Sequence, residues 1–505
     1  MTRRVVGLIA LLLVAATVTT ACSDGGGGEE ERSGAAAAGT AATATAPGRD
    51  RAGPVAAATA TRALADPAFG VKYDRFRELD GSDAYLRSLP RGVTWYEVER
   101  CVVEPRPGEY DWRTVDGAVA QTDALGWEVV LKIRTGSCWV TGQAVGDDTG
   151  RRRMSTSLLP LDLEAHAEFV RRLVGRYAPL GVHAWAIENE VNALNFWQSG
   201  ADDYQRLARV VSGAVRSADP EAVVYDSGIS SAGYGTAIAR MYLERGDEAR
   251  AVAAYNAYYD RRFSTRAADY QRVDDAEELR AQLDSDRGRL NLAFVDATLA
   301  LAAEGVFDVW QLHFYEHWRN VDGLLEFLHR SLPPSMPIEA LEVGLFNPDD
   351  RFDPAQHASE VVHTVARLLA GGVRRIVFLP LAHNPDGREP EEIRWGLLDP
   401  HTGTPRVAAS LFATLAAAGS AAGAATLVVS HDGVTMVAVG GTRRSALIAW
   451  ADAGTRLGPR PEPLGGIRAD GSKAQWGPGG LALDPDPVVF TADVALAEIG
   501  EIAGG

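Results

Sequence analysis

Short apolar runs that stop abruptly in polar residues recur along this chain from Phe69 onward. Eight can be read as strands: Phe69–Tyr73, Gly92–Val98, Glu128–Ile133, His183–Ile187, Ala222–Asp226, Asp308–Phe314, Pro337–Val343 and Arg375–Leu381. Runs that are apolar throughout suit parallel strands buried on both faces. The stretches between them carry helical spacing. From Leu161 to Tyr177, for example, Leu163, Ala167, Val170, Leu173 and Val174 fall on one face. Strand alternating with helix eight times predicts an α/β fold, a (β/α)8 TIM barrel over about 66–418. A doubly wound open sheet is the rival, but no glycine-rich phosphate turn follows the first strand. The longest gap, Gly235 to Gly305, reads as inserted helices. It holds Tyr255, Tyr258, Tyr259 and Phe263, a cluster that either stacks on a sugar or, the preferred reading, packs the insertion onto the barrel.

After Ala418 the period shortens. Thr426 to Val439 reads T-L-V-V-S-H-D-G-V-T-M-V-A-V, and Asp432-Gly433 between two β-rich runs is a hairpin signal. Ser445–Trp450 and Pro487–Val494 add strands. Residues 424–505 therefore form a small C-terminal β-sandwich domain, read as a structural cap rather than a carbohydrate-binding module.

The other end of the chain is not fold. Arg3 and Arg4 precede an apolar run, Val5 to Ala16, too short for a comfortable membrane span, and then T-T-A-C ending at Cys22. Small residues before a Cys resemble the lipobox of bacterial lipoproteins, in which Cys22 is lipidated. Residues 1–22 are then a signal peptide and the mature protein is held outside the cytoplasm on the cell membrane; ordinary secretion is the alternative. Residues 23–65 hold Gly, Ala, Thr and Glu with almost no bulky apolar side chain, so they cannot bury a core and read as a disordered tether.

Composition changes this picture little. The 505 residues are 46% hydrophobic and 23% charged, enough for one large domain and one small. A net charge of −17 argues against a nucleic-acid partner. Of the 50 basic residues only Lys72, Lys132 and Lys473 are lysines, a bias read as that of a GC-rich genome.

The chemistry lies at two strand tips. Ala184 to Asn192 reads A-W-A-I-E-N-E-V-N, and Pro337 to Gly344 reads P-I-E-A-L-E-V-G. Barrel enzymes carry their chemistry on the C-terminal ends of the strands. Glycoside hydrolysis needs one carboxylic acid to protonate the leaving oxygen and one carboxylate to attack the anomeric carbon or activate water. Glu190 on the fourth run and Glu342 on the seventh are the expected pair. Glu188, two residues before Glu190, shares its face but sits deeper. Glu339, three before Glu342, points to the opposite face of a regular strand. Both are read as structural. His183, His317 and His431 share no metal-ligand spacing, so no metal or other cofactor is expected. Cys101 and Cys138 follow the second and third runs, whose tips are neighbours. They form either a rim disulfide or two buried thiols.

With these residues in place, the chain resembles the clan of retaining (β/α)8 glycoside hydrolases that includes cellulase-like, β-xylosidase-like and β-galactosidase-like families. Asn189-Glu190 matches the Asn-Glu pair of the clan's fourth strand. Pro337, Ile338, Glu342 and Gly344 match its seventh-strand pattern, and His313 and Tyr315 in L-H-F-Y match its sixth strand. The segment from Trp95 to Trp112, with Glu104-Pro105, Gly108 and Tyr110, resembles a second-strand segment, and W-G-L-L-D-P-H-T-G-T-P-R after the eighth run resembles the closing loop. The resemblance covers about 66–418. It implies a carbohydrate substrate, Glu190 as acid/base and protonated at rest, and Glu342 as ionised nucleophile. It also implies that Asn189 binds the sugar 2-hydroxyl and that Tyr315 steadies Glu342. Two departures stand out. Val191 replaces a common Pro, and the eighth run lacks the clan's Trp platform, leaving His383 or Asn384, or Trp395 from the following loop, to line that side. A non-catalytic glycan-binding surface lipoprotein and a transglycosylase are the alternative functions. No motif specifies the sugar, the linkage or an oligomeric state.

Overall fold

A computed structural model describes residues 61–73, 82–142, 156–347, 352–382, 393–420, 423–429 and 433–504. The proposed signal peptide, Cys22 and nearly all of the tether lie outside the described residues, as do His383 and Asn384. None of the described helices is long and apolar enough to cross a membrane.

All eight predicted runs are strands. They are β1 (Phe69–Val71), β2 (Val93–Glu99), β3 (Glu128–Arg134), β4 (Ala184–Ile187), β5 (Val223–Tyr225), β6 (Trp310–Phe314), β7 (Ile338–Val343) and β8 (Val373–Phe378). They pair in parallel in the order β5-β4-β3-β2-β1-β8-β7-β6. Parallel bridges from Tyr225 to Val309 and from Ile229 to Leu312 join the two edges, which closes the barrel. β8 stops short of its predicted end because Pro380 has no N–H to continue the ladder. Strand alternation fills the interior with Trp95, Val130, Ala186, Tyr225, Leu341 and Val377. The opposite faces, among them Leu131, Trp185 and Leu312, join the core under the helices.

The helix Leu163–Tyr177 buries Ala167, Val170, Leu173 and Val174 as its spacing predicts. It starts at Leu163 because Asp162 accepts a hydrogen bond from the Ala165 N–H. The long gap holds four helices, Ser231–Glu244, Glu248–Tyr259, Ala276–Leu283 and Asp286–Ala303. Tyr255, Tyr258 and Tyr259 are buried there. Tyr258 and Tyr259 donate to the carbonyls of Ser231 and Ala232, so these rings pack the insertion.

The C-terminal domain is a seven-stranded antiparallel sheet whose edge strand is Thr61–Ala63, paired with Ala424–Thr426. The end of the expected tether is therefore part of the fold. The predicted hairpin forms, with Val429 opposite Thr435. One sheet face, through Val437, Ile448 and Trp450, joins the core of the barrel helices. The other, through Met436, Leu447 and Phe490, is covered by Ile499 of the last helix and by a two-stranded ribbon, Thr455–Leu457 with Leu481–Leu483. Trp450, Trp476 and Phe490 are all buried.

Candidate functional site

β4 ends at Ile187, and the next residues leave regular geometry. Glu188 and Glu190 have φ of 65° and 43°, in the left-handed region, which costs each on the order of 1–3 kcal/mol. The strand-face rule therefore does not govern them. The strained tip instead sends three successive side chains to three partners. Glu188 Oε1 accepts the Thr135 N–H at 2.7 Å. Asn189 Oδ1 accepts from Lys132 Nζ at 2.8 Å. Glu190 Oε1 lies 3.0 Å from His313 Nδ1. Val191 is buried in the core, and Asn192 ties the tip to its neighbours by accepting from the Ser230 N–H and donating to Asn291.

β7 is not regular either. Leu312 of β6 pairs with Ala340 while His313 pairs with Glu342, and β8 shows the same extra residue in β7, Ile376 facing Ala340 and Phe378 facing Val343. This bulge turns Glu342 inward although Leu341 already faces the barrel interior. It also corrects the expectation for Glu339. That side chain shares the inner face, deeper in the barrel, where Tyr225 donates to it at 2.8 Å and Arg375 lies 3.4 Å away. Its role is structural, as expected, but the face is not.

Around Glu342 every contact favours the carboxylate. Lys132 Nζ donates to Oε1 at 2.7 Å and Tyr315 OH to Oε2 at 2.7 Å, while His313 Nδ1 is 3.6 Å from Oε2. Burial would raise the Glu342 carboxyl, but His313, Lys132 and the hydrogen bonds from Lys132 and Tyr315 outweigh it and hold the group well below the usual carboxylate range. His313 Nε2 faces Lys132 Nζ at 3.4 Å. An ammonium can only donate, so in the neutral imidazole Nε2 carries the lone pair and Nδ1 the proton shared with Glu190. A carboxylate oxygen of Glu190, one of Glu342 and a ring nitrogen of His313 all lie within 4.8 Å of one another. These three side chains are the ones the sequence expected at the strand tips; in the fold, the Lys132 ammonium touches two of them, Glu342 and His313.

The expected residues Asn189, Glu190, His313, Tyr315 and Glu342 thus converge. Two glycines permit this. A Cβ on Gly344 would meet the Tyr315 ring at 2.8 Å, and one on Gly228 would meet His313 Nε2 at 2.3 Å. The helical insertion steadies the β6 tip. Ser231 Oγ accepts the Tyr315 N–H and donates to Glu316, to which Arg262 also donates at 2.8 Å. Trp395 is buried edge-on against Phe352 and His357. Cys101 and Cys138 are joined in a disulfide, with Cα atoms 5.9 Å apart.

Sequence reasoning missed Lys132. In E-V-V-L-K-I-R, alternation from the inward Val130 places Lys132 inward, one of only three lysines in the chain. Trp95 was read only as part of a motif. Its ring contacts both Lys72 and Lys132, each ammonium 4.0 Å from the ring centre.

The closed parallel barrel is a fold shared with solved glycoside hydrolases. A family 39 glycoside hydrolase from Bacteroides cellulosilyticus WH2 superposes with a TM-score of 0.56 at 15% identity, over 84% of this chain and 80% of its own. A family 39 β-xylosidase from Caulobacter crescentus gives 0.52 at 15% identity, over 86% and 98%. A family 30 endoxylanase from Clostridium papyrosolvens C71 gives 0.51 at 11% identity, over 86% and 98%. No protein-family model and no curated protein matches the sequence.

Proposed function

We propose that this protein is a retaining glycoside hydrolase, with Glu342 as nucleophile and Glu190 as acid/base. The observation that carries the reading is the approach of the two carboxyl groups, within 4.8 Å at their facing oxygens. Retaining enzymes hold this pair about 5–5.5 Å apart and inverting enzymes about 6.5–9.5 Å. In the first step Glu190 gives its proton to the glycosidic oxygen while Glu342 attacks the anomeric carbon, and the aglycone leaves as an alcohol. In the second, Glu190 takes a proton from water, the water oxygen attacks the same carbon, and Glu342 departs as a carboxylate. Two displacements retain the anomeric configuration. His313 is the relay between the pair, and its Nδ1–H orients Glu190 as the proton moves. Lys132 and Tyr315 keep Glu342 ionised before attack. The β-xylosidase and endoxylanase among the neighbours, with a glucosidase from Croceicoccus marinus, direct the test to a panel of 4-nitrophenyl β-D-xyloside, β-D-glucoside and β-D-galactoside and short β-xylo-oligosaccharides. Hydrolysis by the wild type and none by Glu342→Ala is expected; equal inertness of both across the panel would remove the reading.

The same proposal places the enzyme outside the cytoplasm, lipid-anchored through Cys22. The rim disulfide supports an oxidising compartment. Metabolic labelling with a fatty-acid analogue should mark the wild type and spare Cys22→Ser; equal labelling, or none, would contradict the anchor.

A further inference from the structure

Among the described residues, Lys132 is the cation that touches both Asn189 of the β4 tip and Glu342 of the β7 tip. Its side chain is fully buried, and its ammonium meets Glu342 Oε1 at 2.7 Å, Asn189 Oδ1 at 2.8 Å and His313 Nε2 at 3.4 Å. The Trp95 ring packs against it. The indole ring lies 4.0 Å from Nζ and is fixed by its own N–H, which donates to the Leu341 carbonyl at 2.8 Å. A desolvated ammonium against an indole face is a strong contact, and a buried ammonium is stable only with its donors used.

The bond to Asn189 has a stereochemical consequence. An amide has an accepting end and a donating end, and an ammonium accepts nothing. Lys132 therefore dictates that Asn189 turns Oδ1 inward. Its NH2 then donates to no group among the described residues and is the end left for a ligand.

We propose that Lys132 is a positioning residue for the glycosidase reaction. It fixes the Glu342 carboxylate and, by holding Asn189 Oδ1, sets which end of that amide faces the sugar, so that the 2-hydroxyl contact the family resemblance already implies depends on Lys132. The inference rests on the glycosidase reading. Glu342 and His313 touch this ammonium, Lys72 shares the Trp95 ring with it, and Glu190 is reached through His313. Arg134, two residues along β3, is paired with Glu97 on β2 and Glu188 after β4. Asp226 after β5 interacts with Lys132 electrostatically, and Tyr315 donates to the other oxygen of Glu342.

The test compares the wild type with Lys132→Met and Lys132→Arg on a 4-nitrophenyl glycoside that the wild type cleaves and on its 2-deoxy counterpart. Lys132→Met should lose about 10²–10³ in kcat/KM, the order seen for removing one charge-stabilising donor. Its acid limb should move to higher pH, and the penalty for the 2-deoxy substrate should shrink. Lys132→Arg should hold the wild-type acid limb. A folded Lys132→Met enzyme with the wild-type acid limb and the full 2-deoxy penalty would overturn the proposal. Thermal unfolding gives a readout independent of activity. Because Lys132→Met strands a buried carboxylate, adding Glu342→Gln should restore part of the lost Tm or of the lost soluble yield; additive losses would overturn the pairing. If the wild type cleaves no glycoside, the glycosidase reading fails, and this cycle still decides the pairing on which the proposal depends.

Discussion

The Nδ1 of His313 lies 3.0 Å from Oε1 of Glu190, and the proton between them belongs to the imidazole. This makes His313 the group that aims the proposed acid. His313→Ala should lower kcat/KM by about 10²-fold, and by more on alkyl glycosides, whose poor leaving group needs the proton, than on 2,4-dinitrophenyl glycosides. Equal losses on both would place His313 outside the acid step.

Tyr315 donates to Glu342 at 2.7 Å. A hydrogen bond to a charged group contributes about 1.5–3 kcal/mol, so Tyr315→Phe should cost roughly 10- to 100-fold in kcat/KM with little change in Tm. A Cβ on Gly344 would meet the Leu379 carbonyl at 2.2 Å and the Tyr315 ring at 2.8 Å, so Gly344→Ala should displace both, with a similar loss of kcat/KM and a fall in Tm. An active Gly344→Ala enzyme would show that the ring can move without disturbing the nucleophile.

Much of this site was legible beforehand, and the reason is physical. A parallel barrel buries both faces of its strands, so each strand reads as an apolar run, and its polar tip marks the open end. That rule located β4 and β7 with Glu190 and Glu342 at their tips, whereas Asn189, His313 and Tyr315 were marked by the resemblance of their motifs to the glycoside hydrolase clan. The rule failed where geometry departs from a period of two. The extra residue in β7 carries Glu342 to the same face as Glu339, and the left-handed turns at Glu188 and Glu190 break the alternation there. Neither has a signature such as Gly or Pro at the position itself. Lys132 was missed for another cause. Its partners lie 57, 181 and 210 residues away, and a lone Lys in an apolar run identifies none of them. The C-terminal strands were legible from their hairpin, whereas Thr61–Ala63 pairs with a strand more than 350 residues later and reads locally as tether.

The Cys101–Cys138 disulfide closes a separation of 37 residues between the β2 and β3 tips. On the chain-entropy model a loop of that length gives about 3–4 kcal/mol. Cys101→Ser/Cys138→Ser should lower the urea-unfolding free energy by about that amount, and reductant should do the same to the wild type. A wild type indifferent to reductant would contradict a stabilising bridge.

Asp226 is buried and pushed up to about 7, because burial outweighs the hydrogen bonds it accepts from the Gln311 and Gly228 N–H groups. A carboxyl raised above its unfolded value of 3.8 adds stability that is full below that value and is lost as pH rises through about 7. Asp226→Asn keeps an oxygen for Gln311 and cannot ionise. The wild type should lose stability relative to Asp226→Asn between pH 5 and pH 8. A difference that stays constant over that range would show that Asp226 does not titrate there.

The central claim is that Glu342 forms a bond to the sugar. A 2-deoxy-2-fluoro glycoside with a dinitrophenyl leaving group, of whichever sugar the panel selects, should inactivate the enzyme with release of one dinitrophenolate per chain. Peptide mass spectrometry should then find the fluoroglycosyl group on Glu342. A label on Glu188, Glu190 or Glu339, or hydrolysis with inversion at the anomeric carbon, would contradict the account.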